Sequence, residues 1–413
     1  MVLLSGIYLA TDGGSPVSTL RAAERVSRFG TTIFAEISAL AVRLGAVNLG
    51  QGFPDFAGPS WVKEAATTAI AADMNQYAPY QGIPRLREAI AATWSAQGRG
   101  EIDPQREVTV ASGATEVLFG AIQALLNPGD EAIVFEPFYD AYVPHVTMAG
   151  GLPRLVRLYP PQSATGSWWF DPQELRAAFT PRTRLLLLNT PHNPTGKVFT
   201  RPELALIAQL CCEHDVLLLS DEVYDQILLD GATHLSIATL PGMWERTLTI
   251  NSIGKTFSVT GWKVGYAIGP AELNDALRAA HQWITFATAT PLQAAAAVAL
   301  EGALSNGYYQ QLRSEYAERY TLLREILEQA GLPTLRTEGS YFIMADIAQT
   351  GFDSDAAFCR WLVSEVGVAA IPPSAFYADP ATVPLLARFC FAKRPETLRA
   401  AGTRLAAMQL PQS

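Results

Sequence analysis

The sequence predicts an α/β protein, with a large domain built on a mostly parallel central sheet between helices and a smaller α+β domain after it. Two observations support this prediction. Through the middle of the 413-residue chain, short apolar runs alternate with amphipathic stretches of helical length, which is the pattern of a sheet buried on both faces. Beyond about residue 300 the order changes to a long helix, two strands and a final helix, which is typical of a separate α+β unit.

The strands of the central sheet are predicted where nearly every residue of a short run is apolar, at residues 131–135, 184–188, 216–220 and 247–250. Helical spacing of the apolar residues predicts helices over residues 116–126 and 201–214. In the last part, helices are predicted over residues 309–330 and 395–408, and strands over 341–345 and 368–371.

The chain divides at a loop-rich stretch over residues 50–59 and again near residue 300. We therefore predict an N-terminal segment over residues 1–55 that packs with the small domain. The large domain would span residues 56–300, and the C-terminal small domain residues 301–413.

Composition narrows the classes of function. Hydrophobic residues make up 49% and charged residues 17% of the chain, and the net charge is −9 without a basic block. Nucleic acid and membranes are therefore not expected partners. Residues 1–10 lack the basic region and cleavage site of a signal peptide. The four cysteines show no metal-binding or redox spacing, and Cys211 and Cys212 are predicted to be buried thiols, so we expect a cytoplasmic protein without a metal site.

The most informative feature is Lys255, one of only five lysines in the chain. It lies in a small, glycine-containing segment with Ser252 three residues before it and Lys263 eight residues after it. An amine in this setting can form a Schiff base with an aldehyde cofactor. The hydroxyl and the second cation can hold a phosphate of that cofactor, although a solvated loop lysine would give the same local pattern.

Three upstream segments also follow predicted strands, whose carboxyl ends are where open α/β sheets bind ligands. Residues 112–116 combine a tight turn with a helix start, whose amides favour an anion. Residues 189–196 form a proline-fixed loop that positions Asn193, while His192 in that loop is expected to pack. In residues 220–224, Asp221 can keep a heteroaromatic ring nitrogen protonated and Tyr224 can reach a ring hydroxyl.

These segments resemble the class I/II aminotransferases of fold type I, which use pyridoxal 5'-phosphate (PLP). The resemblance covers nearly the whole chain and, within the group, points to the kynurenine aminotransferase, glutamine transaminase K and methionine aminotransferase subgroup. Further segments that match this family are residues 48–56 (NLGQGFPDF), 75–77 (NQY), 136–140 (EPFYD), 242–247 (GMWERT) and 388–393 (RFCFAK).

The resemblance implies a role for each matching residue around the cofactor. Lys255 would form the Schiff base and move the proton, and Asp221 would pair with the pyridine nitrogen. The ring would be held by Tyr139, Asn193 and Tyr224. The phosphate would be bound by Ala114, Thr115, Ser252, Lys263 and, from a neighbouring subunit, Tyr77.

The substrate is expected to bind on the other side of the cofactor. The resemblance implies that Arg388, Asn189 and the Gly52 amide bind its α-carboxylate, and a planar guanidinium suits that task. Because Tyr77 would reach the neighbouring site, the resemblance also implies a homodimer with shared active sites. Its substrates would be amino acids and 2-oxo acids.

The pocket for the substrate side chain departs from the animal kynurenine enzymes. Their tyrosine near the phosphate is Thr115 here, their histidine after the interface phenylalanine is Ala287, and their N-terminal tryptophan is Phe34. The remaining cage, formed by Phe34, Tyr139 and Phe286, is smaller and apolar. It favours methionine and other medium-sized hydrophobic amino acids, with glutamine, aromatic amino acids and kynurenine also expected.

Three alternatives share these motifs. A bacterial branch acts on N-succinyl-diaminopimelate. A β-lyase acting on cysteine S-conjugates or cystathionine would use the same residues, and its products, pyruvate and ammonia, would appear without an added oxo acid. A PLP-binding effector domain of a regulator is disfavoured, because no basic helix-turn-helix region accompanies the catalytic residues.

Overall fold

The computed structural model describes residues 23–27, 29–30, 33–163, 165–380 and 383–410. The prediction about a signal peptide concerns residues 1–10 and lies outside these ranges. Within them, no helix is long and apolar enough to cross a membrane.

The strands are short. Each of the six predicted runs contains one, and the described ranges hold others that the sequence analysis does not predict. In chain order they are β1 (Val47–Asn48), β2 (Val108–Ala111), β3 (Glu131–Glu136), β4 (Leu152–Arg157), β5 (Thr183–Asn189), β6 (Leu217–Asp221), β7 (Thr247–Ser252), β8 (Gly265–Ile268), β9 (Phe342–Asp346), β10 (Val368–Ala369) and β11 (Leu386–Cys390). The predicted strand over residues 368–371 is shorter than expected, since Ile371 makes only an isolated bridge to Arg388.

Each of the four predicted helices is present near its predicted bounds, and the described ranges hold further helices that the sequence analysis does not predict. In chain order they are α1 (Glu24–Ser27), α2 (Ile33–Leu44), α3 (Ser60–Ala71), α4 (Pro84–Ala96), α5 (Ala114–Leu125), α6 (Tyr142–Met148), α7 (Pro172–Ala178), α8 (Arg201–Glu213), α9 (Ile253–Thr256), α10 (Ala271–Ile284), α11 (Thr290–Ala303), α12 (Tyr308–Gln329), α13 (Asp355–Trp361) and α14 (Pro395–Ala406). A π-helical turn, Leu362–Val366, continues α13.

A seven-stranded sheet forms the centre of the protein, in the order β2-β8-β7-β6-β5-β3-β4. Neighbouring strands are parallel except where β8 pairs with β2 and β7. Both faces are buried, because Leu186 and Leu188 of β5 belong to one core cluster and Leu185 and Leu187 to another. The predicted mostly parallel sheet between helices is therefore confirmed.

The first and last parts of the chain pack together. Strand β1 pairs in parallel with β10, and β9 pairs in antiparallel with β11. One core cluster joins Ile37 and Leu49 from the first part to Leu323 and Phe389 from the last. The division at residues 55 and 300 stays a prediction, and α11 runs to Ala303, past the second boundary.

The cysteine prediction is half wrong. Cys211 is buried, as predicted, whereas Cys212 is exposed, because successive residues of α8 point about 100° apart and only one can face the core. In the described ranges the four cysteines are free, and no group of His, Cys, Asp and Glu could hold a metal ion.

Candidate active site

A cavity of about 300 Å³ lies at the carboxyl ends of β5, β6 and β7. This is the edge at which open α/β sheets bind ligands. Most of the residues singled out in the sequence line it, namely Phe34, Gly52, Ala114, Thr115, Tyr139, Asn189, Asn193, Asp221, Tyr224, Ser252, Lys255, Lys263 and Arg388. The cavity brings these residues together from segments that span most of the chain.

One end of the cavity suits an anion. Gly113 precedes the first turn of α5 with a φ of 85°, which favours glycine, and the amides of that turn face outward. A Cβ at Gly113 would lie 3.2 Å from the Lys263 ammonium nitrogen, so the bare glycine lets this cation approach the helix N-terminus. Ser252 caps α9 by accepting a hydrogen bond from the Gly254 amide at 3.1 Å. The Ser252 hydroxyl donates its own proton to the Val264 carbonyl at 3.1 Å, so the groups at this end that suit a phosphate are the helix N-terminus and the ammonium.

A buried carboxylate lies at the end of β6. Asp221 accepts a hydrogen bond from the Tyr142 hydroxyl at 2.7 Å and one from the Val223 amide at 3.3 Å. Burial raises the pKa of Asp221 to about 6, and the Tyr142 hydrogen bond and the nearby Lys255 oppose that rise. A cationic ring beside Asp221 would favour its ionised form further.

Lys255 lies on α9 with its amine inside the cavity. The Lys255 nitrogen donates to the Tyr341 hydroxyl at 2.9 Å and lies 5.7 Å from the ring centre of Tyr224. Burial lowers the pKa of Lys255 to about 8, and Asp221 raises it while Lys263 lowers it. Desolvation is the main cause of the lowered pKa, and the second lysine contributes less.

Arg388 is buried on β11 and stacked among aromatic rings. Its guanidinium carbon lies 4.0 Å from the ring centre of Phe342, 4.7 Å from that of Phe376 and 5.3 Å from that of Phe34. It donates hydrogen bonds to Asn193 Oδ1 at 2.8 Å and to the Gly50 carbonyl at 3.1 Å. Burial lowers the pKa of Arg388 to about 10, so a carboxylate would be a favourable partner.

The loop after β5 is held by Asn189. Its side chain donates to the Asp221 carbonyl at 2.9 Å and accepts from the Asn193 amide at 2.7 Å. Asn189 therefore supports the loop, and its predicted contact with a substrate carboxylate would use its remaining N–H. His192 is buried, bonds to Thr195 at 2.8 Å and has its pKa lowered to about 3 by burial, in keeping with a packing role.

Aromatic side chains wall the cavity. Burial raises the pKa of Tyr139 to about 12, against a hydrogen bond with Thr115 that lowers it. Burial also raises the pKa of Tyr224, so both phenols keep their protons. Phe34 of α2 meets Phe376 edge to face at 5.4 Å. These rings offer a flat, apolar site for a planar cofactor and an apolar side chain.

Two of the predicted residues do not line the cavity of this chain. Tyr77 and Phe286 are 88% and 46% exposed and touch each other edge to face at 5.6 Å. The expected cage of Phe34, Tyr139 and Phe286 is therefore not complete within one chain. For Tyr77 this placement agrees with a role in a neighbouring subunit.

Four further residues at the site were missed in the sequence. Tyr142 and Tyr341 contact Asp221 and Lys255 from positions 79 and 86 residues away, so no local motif links them. Phe342 stacks on Arg388, and Asp140 lines the cavity with its pKa raised by burial. Asp140 lies inside the EPFYD segment, so this motif could have pointed to it as a residue of the site.

The residues present fit PLP, the cofactor implied by the resemblance. PLP carries a phosphate, a basic ring nitrogen and an aldehyde, and the cavity offers a matching group for each. The α5 N-terminus with Lys263 suits the phosphate, Asp221 the ring nitrogen and Lys255 the aldehyde. Arg388 Nε is buried without a hydrogen-bond partner in the described part of the chain, which leaves a donor for a further ligand.

Comparison with known proteins gives the same family. The family model for aminotransferases of class I and II matches residues 45–405. The chain is similar to kynurenine–oxoglutarate transaminase 3 of Mus musculus, with 43% identity over 92% of this chain and 88% of that protein. It is also similar to the methionine aminotransferase of Escherichia coli K12, with 41% identity over 92% of this chain and 97% of that protein.

A solved structure shares the fold as well. The N-succinyldiaminopimelate aminotransferase of Mycobacterium tuberculosis superposes with a TM-score of 0.90 and 44% identity, covering 94% of this chain and 99% of that one. Enzymes of this family and fold are in general PLP-dependent transferases. With the matching family model, the similar relatives and the cavity described above, this chain belongs to the class I and II aminotransferases.

Proposed function

We propose that this enzyme moves the amino group of an L-amino acid with a medium-sized apolar side chain to a 2-oxo acid, with PLP bound covalently at Lys255. The observation that carries the proposal is that the Lys255 amine, the Asp221 carboxylate and the Arg388 guanidinium line one cavity. An amine, an acid for the ring nitrogen and a carboxylate-binding cation are the groups that amino transfer needs.

Each residue has one task in this proposal. When bound, PLP draws electrons from the substrate Cα and so acidifies its proton. Asp221 would keep the ring nitrogen protonated, and Tyr224 and Asn193 would bind the ring oxygen. Lys255, whose pKa is lowered to about 8, would take the Cα proton as a neutral amine and deliver it to the former aldehyde carbon, on the far side of the transferred nitrogen. The first oxo acid leaves before the second binds, which makes the kinetics ping-pong.

The substrate would bind between Arg388 and the aromatic walls. Arg388 binds the α-carboxylate, with Asn189 and the Gly52 amide beside it. Among the described residues that line the cavity, Arg388 is the one arginine. The lining therefore offers no second guanidinium for a carboxylate on the substrate side chain. The apolar walls and the kynurenine and methionine enzymes among the relatives support donors such as methionine, glutamine, aromatic amino acids and kynurenine.

A homodimer would complete the site. The exposed Tyr77 and Phe286 would reach the cavity of the second subunit, Tyr77 at the phosphate and Phe286 at the substrate side chain. Trp283, 84% exposed on α10, lies three residues before Phe286 and adds apolar surface there. Light scattering combined with gel filtration would test this assembly, and a monomer that retains full activity would contradict it.

The cytoplasm is the proposed location, supported by four free cysteines in the described part of the chain. Fractionation of the source cells with an antibody against the chain would test it. Recovery from a membrane or secreted fraction would contradict the proposal.

The proposed function is tested by a half-reaction titration that follows the cofactor's absorbance. Purified enzyme is mixed with one amino acid at a time and no oxo acid. The panel contains methionine, glutamine, kynurenine, phenylalanine, aspartate and N-succinyl-diaminopimelate. We expect methionine, glutamine and the aromatic donors to change the spectrum and aspartate to have little effect. Lys255→Ala serves as the unreactive control.

Two other outcomes would assign another activity. A response to N-succinyl-diaminopimelate alone would contradict the apolar donor and point to the activity named for the M. tuberculosis enzyme, whose structure is similar. Pyruvate and ammonia released from a cysteine S-conjugate or cystathionine without an oxo acid would identify a β-lyase.

A further inference from the structure

We propose that Tyr341 is a positioning residue that holds the free amine of Lys255 and aims its lone pair into the cavity whenever that amine is not bonded to the cofactor. The inference rests on the proposed function and deepens it. It starts from two hydrogen bonds that place the Tyr341 hydroxyl between Lys255 and the Gly52 loop.

The direction of these two bonds is fixed by chemistry. Tyr341 donates its only proton to the Gly52 carbonyl at 2.5 Å, and a carbonyl can only accept. Toward Lys255, 2.9 Å away, the hydroxyl oxygen can therefore act only as an acceptor. A neutral Lys255 amine must direct one N–H at Tyr341, which leaves its lone pair and its second N–H for the cavity.

The Tyr341 ring is held from three sides. It is fully buried, meets Tyr224 edge to face at 5.0 Å and Phe342 at 4.8 Å, and stacks on Tyr316 at 6.2 Å with an interplanar angle of 15°. The ring therefore cannot follow Lys255 when the lysine moves. A fixed acceptor lowers the entropic cost of returning the amine to its reactive position.

The Gly52 carbonyl is held as firmly. Lys393 donates to the carbonyls on either side of it, those of Gln51 at 3.2 Å and Phe53 at 2.7 Å. A Cβ at Gly52 would come within 2.9 Å of the Phe342 ring, so the loop lies directly against the cavity wall. Lys255 is thus tied through one hydroxyl to the loop that is expected to bind the substrate carboxylate.

Tyr341 does not itself take up the proton in this arrangement. Burial raises its pKa well above the usual range of a tyrosine, so the phenol stays neutral. Its proton is directed at Gly52, away from the cavity. Its contribution is therefore to the position and the proton affinity of Lys255, which stays the acting base.

The test compares Tyr341→Phe with the unchanged enzyme and with Tyr316→Phe, which removes the hydroxyl of the neighbouring stacked ring. In cofactor-free protein, competitive acetylation of Lys255 over a pH series, quantified by mass spectrometry, measures the pKa of its amine. An acceptor stabilises the ammonium form, so its loss in Tyr341→Phe should lower that pKa by about half a unit to one unit. Tyr316→Phe should leave it unchanged.

The other charged and titratable groups around Lys255 stay in place in both variants. They are Asp221, Tyr224, Lys263, Arg388 and Cys390. In the PLP-loaded enzyme, Tyr341→Phe should slow removal of the Cα proton about tenfold, with a larger deuterium isotope effect and little change in KM. Tyr316→Phe should leave both the rate and the isotope effect as they are.

The outcomes separate this inference from the function on which it rests. If the unchanged enzyme responds to amino acids in the absorbance titration but Tyr341→Phe leaves the pKa of Lys255 and the isotope effect unaltered, the role of Tyr341 is overturned and the function stands. If the unchanged enzyme does not respond to any amino acid, the function fails first. Should Tyr341→Phe not fold, 3-fluorotyrosine at position 341, a weaker acceptor of the same shape, should shift the pKa in the same direction, and an unaltered pKa would overturn the inference.

Discussion

The two ends of the cavity, which we propose bind the cofactor near Lys255 and the substrate near Arg388, are built in different ways. At the cofactor end, Asp221 and Ser252 are the last residues of neighbouring parallel strands, so the sheet itself brings them to the same edge. At the substrate end, the Arg388 guanidinium bonds to the Gly50 carbonyl across 338 residues of sequence. One end follows from local strand-and-turn rules, and the other depends on the first and last parts of the chain packing correctly. Substitutions at the two ends should therefore change different measurable properties of the enzyme.

The largest effect is expected at the cofactor end. Lys255→Ala removes the proposed covalent partner of PLP, which is also the proposed base, so turnover should fall by more than about 10³-fold. Circular dichroism and thermal unfolding should show an intact fold. Lys63→Ala, at an exposed lysine, serves as the control. Full activity in Lys255→Ala would refute the assignment of this end.

The same lysine should destabilise the cofactor-free protein. Its pKa is lowered from 10.5 to about 8 on folding, so the unfolded chain binds more protons than the folded one between these values. The free energy of unfolding should therefore rise with pH through this window. Below pH 8 it should be about 3 kcal/mol lower than above pH 10.5. Lys255→Met should unfold at higher urea concentration than the unchanged protein at pH 7, and the difference should vanish above about pH 10.5. Equal midpoints at pH 7 would contradict the lowered pKa.

A substitution at the substrate end should mainly raise the KM for the amino acid. Arg388→Lys keeps a charge but loses the planar fork, which should raise the KM for the amino acid about 30-fold. PLP should be retained, as measured by its absorbance after gel filtration. Arg85→Lys, at an exposed arginine paired with Glu301, provides the control. Loss of PLP from Arg388→Lys would show that the two ends are not independent.

The smallest effect is expected where a second subunit would meet the cofactor end. Tyr77→Phe removes one hydroxyl that is proposed to reach the partner's phosphate, so PLP should bind about tenfold more weakly. Titration of cofactor-free dimer with PLP measures this affinity, with Tyr80→Phe as the control. Unchanged affinity in Tyr77→Phe would remove the argument for shared sites.

The cofactor end could be predicted from the sequence because its groups lie in short motifs after apolar strands. Lys255, Asp221 and Asn193 fall in one cavity, as those motifs indicate. Tyr142 and Tyr341 could not be found this way, because each meets its partner through packing between distant segments.

Two other predictions from the sequence differ from the structure, and each difference has a physical cause. Helical spacing predicted α8, but it did not separate Cys211 from Cys212, since one helix presents both a core face and a solvent face. Phe286 was expected in an aromatic cage, yet it lies outside the cavity of its own chain. In the proposed dimer, a residue that reaches the cavity of the second subunit cannot be assigned to that cavity from spacing along its own sequence.

Helix α2 sets a limit on modular engineering of this enzyme. It carries Phe34, whose ring stands 5.3 Å from the Arg388 guanidinium, yet the family match begins at residue 45, just after α2 ends. A chimera or trimmed chain cut at the matched boundary would retain Lys255, Asp221 and Arg388 but lose a wall beside the carboxylate-binding group. Recombination at that boundary would therefore replace this wall of the cavity together with the N-terminal helix, while leaving Lys255, Asp221 and Arg388 in place.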